Sequence, residues 1–298
     1  MVPDIVNPFF PAVVKAVEGA LYGREVGLFL CDAGESSLLE AKRLSALLAR
    51  QVDGVLISPV DEVQSKKAVV TAVHSVPLVQ VDRCVAVQSD MVAVDNALGT
   101  RLLIEHLVDQ GCSSFAFVTT AARLSPTRER LEAYEKAVLE VDEPSSRRVI
   151  AGELTVQWGR EAARRLLSEG GLPDAVVCAN DMIAVGVLGT LSAAGVRVPA
   201  DVAISGYDDS ILAENSDPPL TSIRQPLELL GEEAVRLLLS GIDDRSLPAR
   251  AVKLSPELVV RRSTLPRPSG RRGGGRRAGR ARSTGGRNAD YREGRESS

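Results

Sequence analysis

Nine residues spread along the chain combine into one kind of chemistry: Asn7, Phe9, Phe10, Asp82, Arg83, Arg130, Asn180, Asp208 and Gln225. Their amides, carboxylates and guanidinium groups supply paired donors and acceptors, which is what a molecule covered in hydroxyl groups requires. The rings of Phe9 and Phe10 offer flat apolar faces to the C–H side of such a molecule. Together they have the chemistry of a sugar or nucleoside pocket. Singly, each is weakly informative, because an Asp after a strand is more often a helix cap and a Phe serves equally well in a core.

What joins the nine is their position behind short apolar runs. Val26 to Cys31 reads as a buried strand, Ser37 to Gln51 as a helix with Leu44, Leu47 and Leu48 on one face, and Gly54 to Ser58 as a second strand. Pro77 opens the strand Leu78 to Val81, and Asp82-Arg83 follow it. A helix from about Asn96 to Gln110 leads to the strand Ser114 to Val118, whose following loop runs toward Arg128 and Arg130 in a helix from about Pro126 to Val141. The helix Val156 to Ser168 precedes the strand Ala175 to Cys178, after which come Asn180-Asp181 and a helix from Asp181 to Ala194. The strand Val202 to Ser205 precedes Tyr207-Asp208-Asp209, and Arg224-Gln225 stand just before a helix from Pro226 to Ser240. A closing strand is expected near Leu258 to Val260.

Strand, helix and strand at this spacing imply right-handed crossovers and parallel sheets, in which the loops at the carboxyl ends carry the ligand site. Gly54, Gly111 and Gly195 follow helical stretches where a left-handed cap is usual, and Asn180 stands where a helix N-cap belongs. The pattern is two successive α/β units.

Composition narrows the alternatives. The chain has 298 residues, 44% hydrophobic and 25% charged, which fits a globular α/β protein of one large domain or two lobes. No run approaches the roughly 20 apolar residues of a membrane span. The start, MVPDIVNPFF, lacks the basic and apolar regions of a signal peptide, so a cytoplasmic protein with no membrane partner is expected. Arg261 to Ser298 holds 12 Arg and 3 acidic residues, a net of +9, leaving 24 basic and 36 acidic residues, a net of −12, in the remainder. An acidic body does not look like a nucleic-acid surface. The Arg/Gly-rich tail has little to bury and is expected to be a disordered, solvated extension.

Catalysis finds no foothold. The four cysteines, Cys31, Cys84, Cys112 and Cys178, form no C-x-x-C pair, and reduced thiols are expected rather than a zinc site. His74 and His106 lie inside predicted helices, and no P-loop, dinucleotide fingerprint or H-E-x-x-H occurs, so neither enzyme activity nor a cofactor or metal is expected. Asp208-Asp209 are neighbours in sequence, and such pairs rarely converge on one bond.

Several segments carry a resemblance. They are PDIVNPFF at Pro3 to Phe10, RQVDGVLISP at Arg50 to Pro59, VDR at Val81 to Arg83, and VAVDNALGTRLLIEHLVDQG at Val92 to Gly111. RERLEAY at Arg128 to Tyr134, PDAVVCANDMIAVGVL at Pro173 to Leu188 and GVRVPADVAISGYDDS at Gly195 to Ser210 follow. PPLTSIRQP at Pro218 to Pro226 and LVVRRST at Leu258 to Thr264 complete the set. In order and spacing they resemble the effector-binding core of the LacI/GalR family of bacterial transcription regulators, itself similar to periplasmic sugar-binding proteins.

The resemblance implies a two-lobed periplasmic-binding-protein-like type I fold, with parallel sheets flanked by helices and three crossing segments near Val94, Gln225 and Leu254. The lobes it implies are residues 1–93 plus 227–254, and 94–226 plus 255–265, followed by a tail over 266–298. It places Asn7, Phe9 and Phe10 on the near wall of a cleft, with Asp82 and Arg83 reaching the ligand hydroxyls. Arg130, Asn180, Asp208 and Gln225 close from the far lobe. Family members often carry an aromatic residue where Leu154 stands, and Trp158 is one turn on.

It further implies a sugar or nucleoside-like effector, a homodimer, and repression tuned by cleft closure. The family's helix-turn-helix headpiece and hinge helix do not occur in this chain, so operator DNA is an expected partner only with that headpiece restored. The chain starts inside the first strand, keeping Val2-Pro3, and its start is read as misassigned or truncated. A free-standing solute-binding protein for sugar uptake is the alternative reading.

Overall fold

The computed structural model describes residues 1–121, 123–141 and 147–265. The charged tail therefore lies outside the described residues. The chain forms two parallel sheets, each covered by helices, and a small antiparallel ribbon.

The first half supplies α1 (Phe9–Leu21), α2 (Ser37–Ala49), β1 (Val55–Ile57), α3 (Lys66–Ser75), β2 (Leu78–Val81) and β3 (Asp90–Val94). The second supplies α4 (Asn96–Asp109), β4 (Phe115–Thr120), α5 (Ser125–Leu139), β5 (Arg147–Gly152), α6 (Val156–Ser168), β6 (Ala175–Cys178), α7 (Asp181–Ala193) and β7 (Ala203–Ser205). The chain ends in α8 (Ile211–Glu214), β8 (Ser222–Arg224), α9 (Leu227–Asp243), β9 (Ala251–Leu254) and β10 (Glu257–Val259).

The first sheet has the order β1-β2-β3-β9 and the second β5-β4-β6-β7, every pairing parallel, while β10 and β8 pair antiparallel. Strands buried on both faces have no polar side to present, which is why β6 reads as a short unbroken run, while β2 breaks its run only at Gln80, whose buried amide bonds Val85 and Ser89. The first sheet is packed on one face by Phe10, Val13 and Val17 of α1 with Leu230, Val235 and Leu237 of α9. Its other face meets Leu44 and Leu47 of α2 and Val69 and Ala72 of α3. The second sheet has its own core around Phe115, Phe117, Tyr134, Ile183 and Leu191.

Local chemistry fixes the helix starts near the strand ends. The Asp95 side chain accepts from the Leu98 amide at 2.9 Å, that of Thr155 from Trp158 at 3.0 Å, and that of Asn180 from Ile183 at 3.0 Å. Helices α6 and α7 cross so closely that a Cβ on Gly159 would meet the Ile183 carbonyl, and one on Gly186 the Val156 carbonyl.

Two expectations need correction. Val26 to Cys31 is not a buried strand: Phe29 is 64% exposed, and the run lies in extended chain outside both sheets. Its apolar character reads as buried, but among the described residues only Met1 to Pro3 runs beside it, bridging at Val2 and Asp32. Gly111 and Gly195 take the left-handed conformation at φ 82° and 78°, but Gly54 does not. Gln51 turns the chain at φ 56°, and Gly54 is needed for space, since a Cβ there would sit 2.8 Å from Leu238 Cδ1.

Candidate functional site

The carboxyl ends of strands from both sheets meet at one recess. It is lined by all of Asn7, Phe9, Phe10, Asp82, Arg83, Arg130, Asn180, Asp208 and Gln225, together with Leu124, Pro126, Thr127 and Leu154. The inner recess is small, about 30 Å³, and shares Asn7, Leu124 and Leu154 with an outer cavity of about 430 Å³ whose walls include Asp4, Glu35, Asp61 and Glu153.

The near wall begins at the turn into α1. The Asn7 side chain accepts from the Phe9 amide at 3.1 Å, so the residue that starts the helix also sets the two rings behind it. Phe9 and Phe10 pack edge to face with centroids 5.1 Å apart, and both are buried. They serve core and recess at once. After β2 the chain turns through Asp82 at φ 65°, a conformation tolerated by Asp, and Arg83 follows. The Arg83 guanidinium is gripped as a fork by Glu35, with Nη1 to Oε2 at 3.3 Å and Nη2 to Oε1 at 3.1 Å, and it lies 5.2 Å from the Phe10 ring centre.

The far wall is built around Arg130 on α5. Its Nε donates to Asn96 Oδ1 at 2.8 Å, its Nη1 to the Ala179 carbonyl at 2.6 Å, and its carbon lies 3.5 Å from the centre of the Tyr207 ring. Asp208 Oδ1 is 4.0 Å from the same Nη1 and accepts from Gln225 Nε2 at 2.7 Å. Burial pushes the Asp208 carboxyl up to about 8, against the pull of Arg130. Asp82 is raised for the same reason, with Arg130 and Arg83 opposing. Beneath the recess Asp181, raised by burial to about 6, accepts from the Ser210 amide at 2.7 Å and from the Ser222 hydroxyl at 2.7 Å, tying the start of α8 and β8 to α7.

Two atoms in this wall stand out. Asn180 Nδ2, a donor, and Gln225 Oε1, an acceptor, are buried and have no hydrogen-bond partner among the described residues. Buried polar atoms are nearly always satisfied, and these two unsatisfied ones both lie in the lining of one recess.

Other candidate residues lie elsewhere. Asp209 turns away to Arg224 at 2.7 Å and Arg261 at 2.6 Å. Arg128 is exposed and pairs with Glu62 and Glu132. His106 bonds Thr264 at 2.8 Å and His74 the Val70 carbonyl at 2.7 Å, both away from the recess. Trp158 is anchored to the Thr119 carbonyl at 3.0 Å and packs on Gly152, so Leu154 alone holds the place facing the recess.

Sequence reasoning missed Glu35, Asn96 and Tyr207 as positioning residues. Tyr207 and Asn96 sit beside recognised site residues, and a buried Arg always needs acceptors, which is the signal that points to Asn96. Glu35 has no local signal.

The comparisons with known proteins agree with this geometry. The periplasmic binding protein-like domain family matches residues 104–264. The ribose operon repressor of Escherichia coli (strain K12) is 34% identical over 260 residues, 86% of this chain and 78% of the relative. The HTH-type transcriptional repressor PurR of Photobacterium profundum is 31% identical over 88% of this chain and 79% of its own. Among solved structures, a LacI family transcriptional regulator from Enterococcus faecalis V583 with bound ribose superposes with a TM-score of 0.80 at 30% identity, covering 89% of this chain and 97% of that one. The transcriptional regulator CelR in complex with cellobiose gives 0.79 at 31% identity, covering 88% and 83%. The fold, the recess at the strand ends and these relatives converge: the chain belongs to the LacI/GalR family of transcriptional regulators, as its two-lobed, effector-sensing core.

Proposed function

We propose that the recess binds a neutral monosaccharide or the sugar of a nucleoside, with Asn7, Asp82, Arg83, Arg130, Asn180, Asp208 and Gln225 as polar contacts and Phe9 and Phe10 as the apolar wall. The single observation that carries this reading is the unpartnered Asn180 Nδ2 and Gln225 Oε1 lining one recess. One wants an acceptor and the other a donor, and a hydroxyl group offers both. Ribose is bound in a solved relative of 30% identity, which makes it the first ligand to try.

The lobes are residues 1–93 plus 227–254 and 94–226 plus 255–265. Support comes from the chain leaving the first sheet after Val94, returning past Gln225, and leaving again after Leu254. A guest held by both halves favours the closed arrangement over the open one, and the difference in affinity is what shifts the regulator between states. The regulator works on operator DNA as a homodimer, with its reading helix supplied by a headpiece.

Calorimetry with a panel of pentoses, hexoses and nucleosides tests the reading. One member of the panel is expected to bind, and Asn180→Ala and Gln225→Ala each weaken it by about tenfold, the value of one lost hydrogen bond to a buried partner. Absence of binding across the panel, or binding indifferent to both changes, overturns the assignment.

A further inference from the structure

The inner part of the effector recess holds about 30 Å³, whereas small-molecule sites run to roughly 300–1,000 Å³. The missing room lies immediately outside, in the cavity of about 430 Å³ that shares Asn7, Leu124 and Leu154 with it. A guest whose hydroxylated end reaches Asn180 Nδ2 and Gln225 Oε1 therefore has most of its bulk in the outer cavity.

That outer cavity has a charge of its own. Asp61 follows β1 and Glu153 follows β5, so the strand ends that shape the recess also bring these two carboxylates to its mouth, and Asp4 joins them from the turn before α1. Backbone amides, which carry no net charge, donate to two of them: Val6 to Asp4, and Val63 and Gln64 to Asp61, each at 2.8 Å. Glu153 has no hydrogen bond or ion pair among the described residues. A fourth carboxylate, Glu35, is already matched by Arg83. Among the described residues the lining includes no Lys, Arg or His. Arg128 is engaged by Glu62 and Glu132, and Arg123 is exposed outside the lining. Asp4, Asp61 and Glu153 thus share one cavity without a cation, and its apolar walls Val60, Leu124 and Leu154 concentrate their field.

A bare metal ion does not account for this arrangement, since among the described residues no group of three or more His, Cys, Asp and Glu side chains is placed to hold one. Nor does a simple polyamine, because Asn180 Nδ2 is a donor and a protonated amine has no lone pair to offer it. Asn180 and Gln225 are 2% and 3% exposed, so their orphan atoms point to a hydroxylated guest independently of the charges at the mouth. The inner end also holds the Arg83 and Arg130 guanidinium groups, so a positive charge on the guest is favoured only at the outer end. We infer that the guest is a glycoside of mixed character: a neutral sugar unit in the inner recess, joined to a part bearing a protonated amine that lies among Asp4, Asp61 and Glu153. This rests on the reading of the recess as a hydroxyl-binding site, and adds the charge and the extent of what it binds. The same carboxylates exclude an anionic group, such as a phosphate, from that end.

The test is calorimetry with ribosides, glucosides and galactosides that differ only in one arm: 2-hydroxyethyl, 2-aminoethyl or carboxymethyl. For the sugar that binds, the aminoethyl glycoside is expected to bind about tenfold tighter than the hydroxyethyl one, the sum of three weak, partly exposed ion pairs. The carboxymethyl glycoside is expected to bind most weakly. Raising the salt to about 1 M, where the Debye length is ~3 Å, shrinks the preference. Asp61→Asn combined with Glu153→Gln brings the aminoethyl and hydroxyethyl affinities close to parity, and Glu153→Lys turns the order toward the carboxymethyl glycoside. Equal binding of the aminoethyl and hydroxyethyl forms, or a preference that survives these changes, overturns the inference and leaves the hydroxyl-binding reading in place. Failure of every glycoside to bind overturns both.

Discussion

The Arg130 guanidinium lies over the Tyr207 ring, 3.5 Å from its centre, and this contact joins the bonds to Asn96 and Ala179 in holding a buried cation at the recess. Desolvated contacts of this kind are worth about 2 kcal/mol. Arg130→Lys keeps the charge but loses both the plane and the fork that reaches Asn96 and Ala179. Effector affinity is expected to fall by about ten- to a hundredfold, measured by calorimetry, while circular dichroism shows the fold retained.

The Gly99 position guards the same stack. A Cβ there would stand 2.5 Å from Tyr207 Oη and 3.1 Å from Ile223 Cγ2. Gly99→Ala should displace the ring and cost about 1–3 kcal/mol, the range for overpacking a tight core. Denaturant unfolding reads the stability loss, and effector titration reads the coupled loss of binding.

Asp208 makes stability depend on pH. Its folded pKa is raised to about 8 by burial from an ordinary value of 3.8, so the folded state holds a proton that the unfolded state releases. The sign follows: this contribution is fully present below about pH 4 and is lost as pH climbs toward 8. Asp208→Asn is expected to flatten that part of the profile, matching wild type near pH 4 and gaining on it near pH 8. Thermal melts across the range check it, and parallel profiles would contradict the assignment.

Leu154 faces the recess where a ring would also fit the chemistry of a sugar face. Leu154→Phe adds a flat surface against C–H groups and is expected to tighten binding of a pyranose or furanose by about two- to tenfold, in line with aromatic contacts of about 0.5–1.5 kcal/mol. Competition titration against wild type measures it.

The close crossing of α6 and α7 positions Asn180 at the recess. Gly186→Ala drives a methyl group into the Val156 carbonyl, a backbone atom that cannot rotate aside. A loss of several degrees in Tm is expected, with effector affinity reduced because Asn180 moves with α7.

Much of this was legible beforehand where one local cause dominates. The strands Leu78–Val81 and Ala175–Cys178 and the helix Val156–Ser168 are where the apolar pattern put them, because burial on both faces leaves a contiguous signature. Of the residues that line the recess, Asp82, Arg83, Asn180, Asp208 and Gln225 were readable because each follows a strand end, whereas Leu124, Pro126 and Thr127 carry no such signal. The strand β5 escaped notice because it is an edge, with charged residues at its start and Val149 left exposed. Val26–Cys31 misled for the opposite reason, since an apolar run becomes a strand only where a neighbour supplies the other half of the ladder. Glu35 was invisible because its role is defined by Arg83, 48 residues away.

Arg130 rests on Asn96, and Asn96 is the first residue of α4, where the chain has just left the first sheet, its own side chain bonded back to the Val94 carbonyl at 3.1 Å. In the proposed division into lobes, the Arg130 contact proposed for the guest is thus bolted to the joint about which the halves would turn. Affinity and response share a part at this point, so a change that retunes what is sensed there also retunes how strongly the regulator answers.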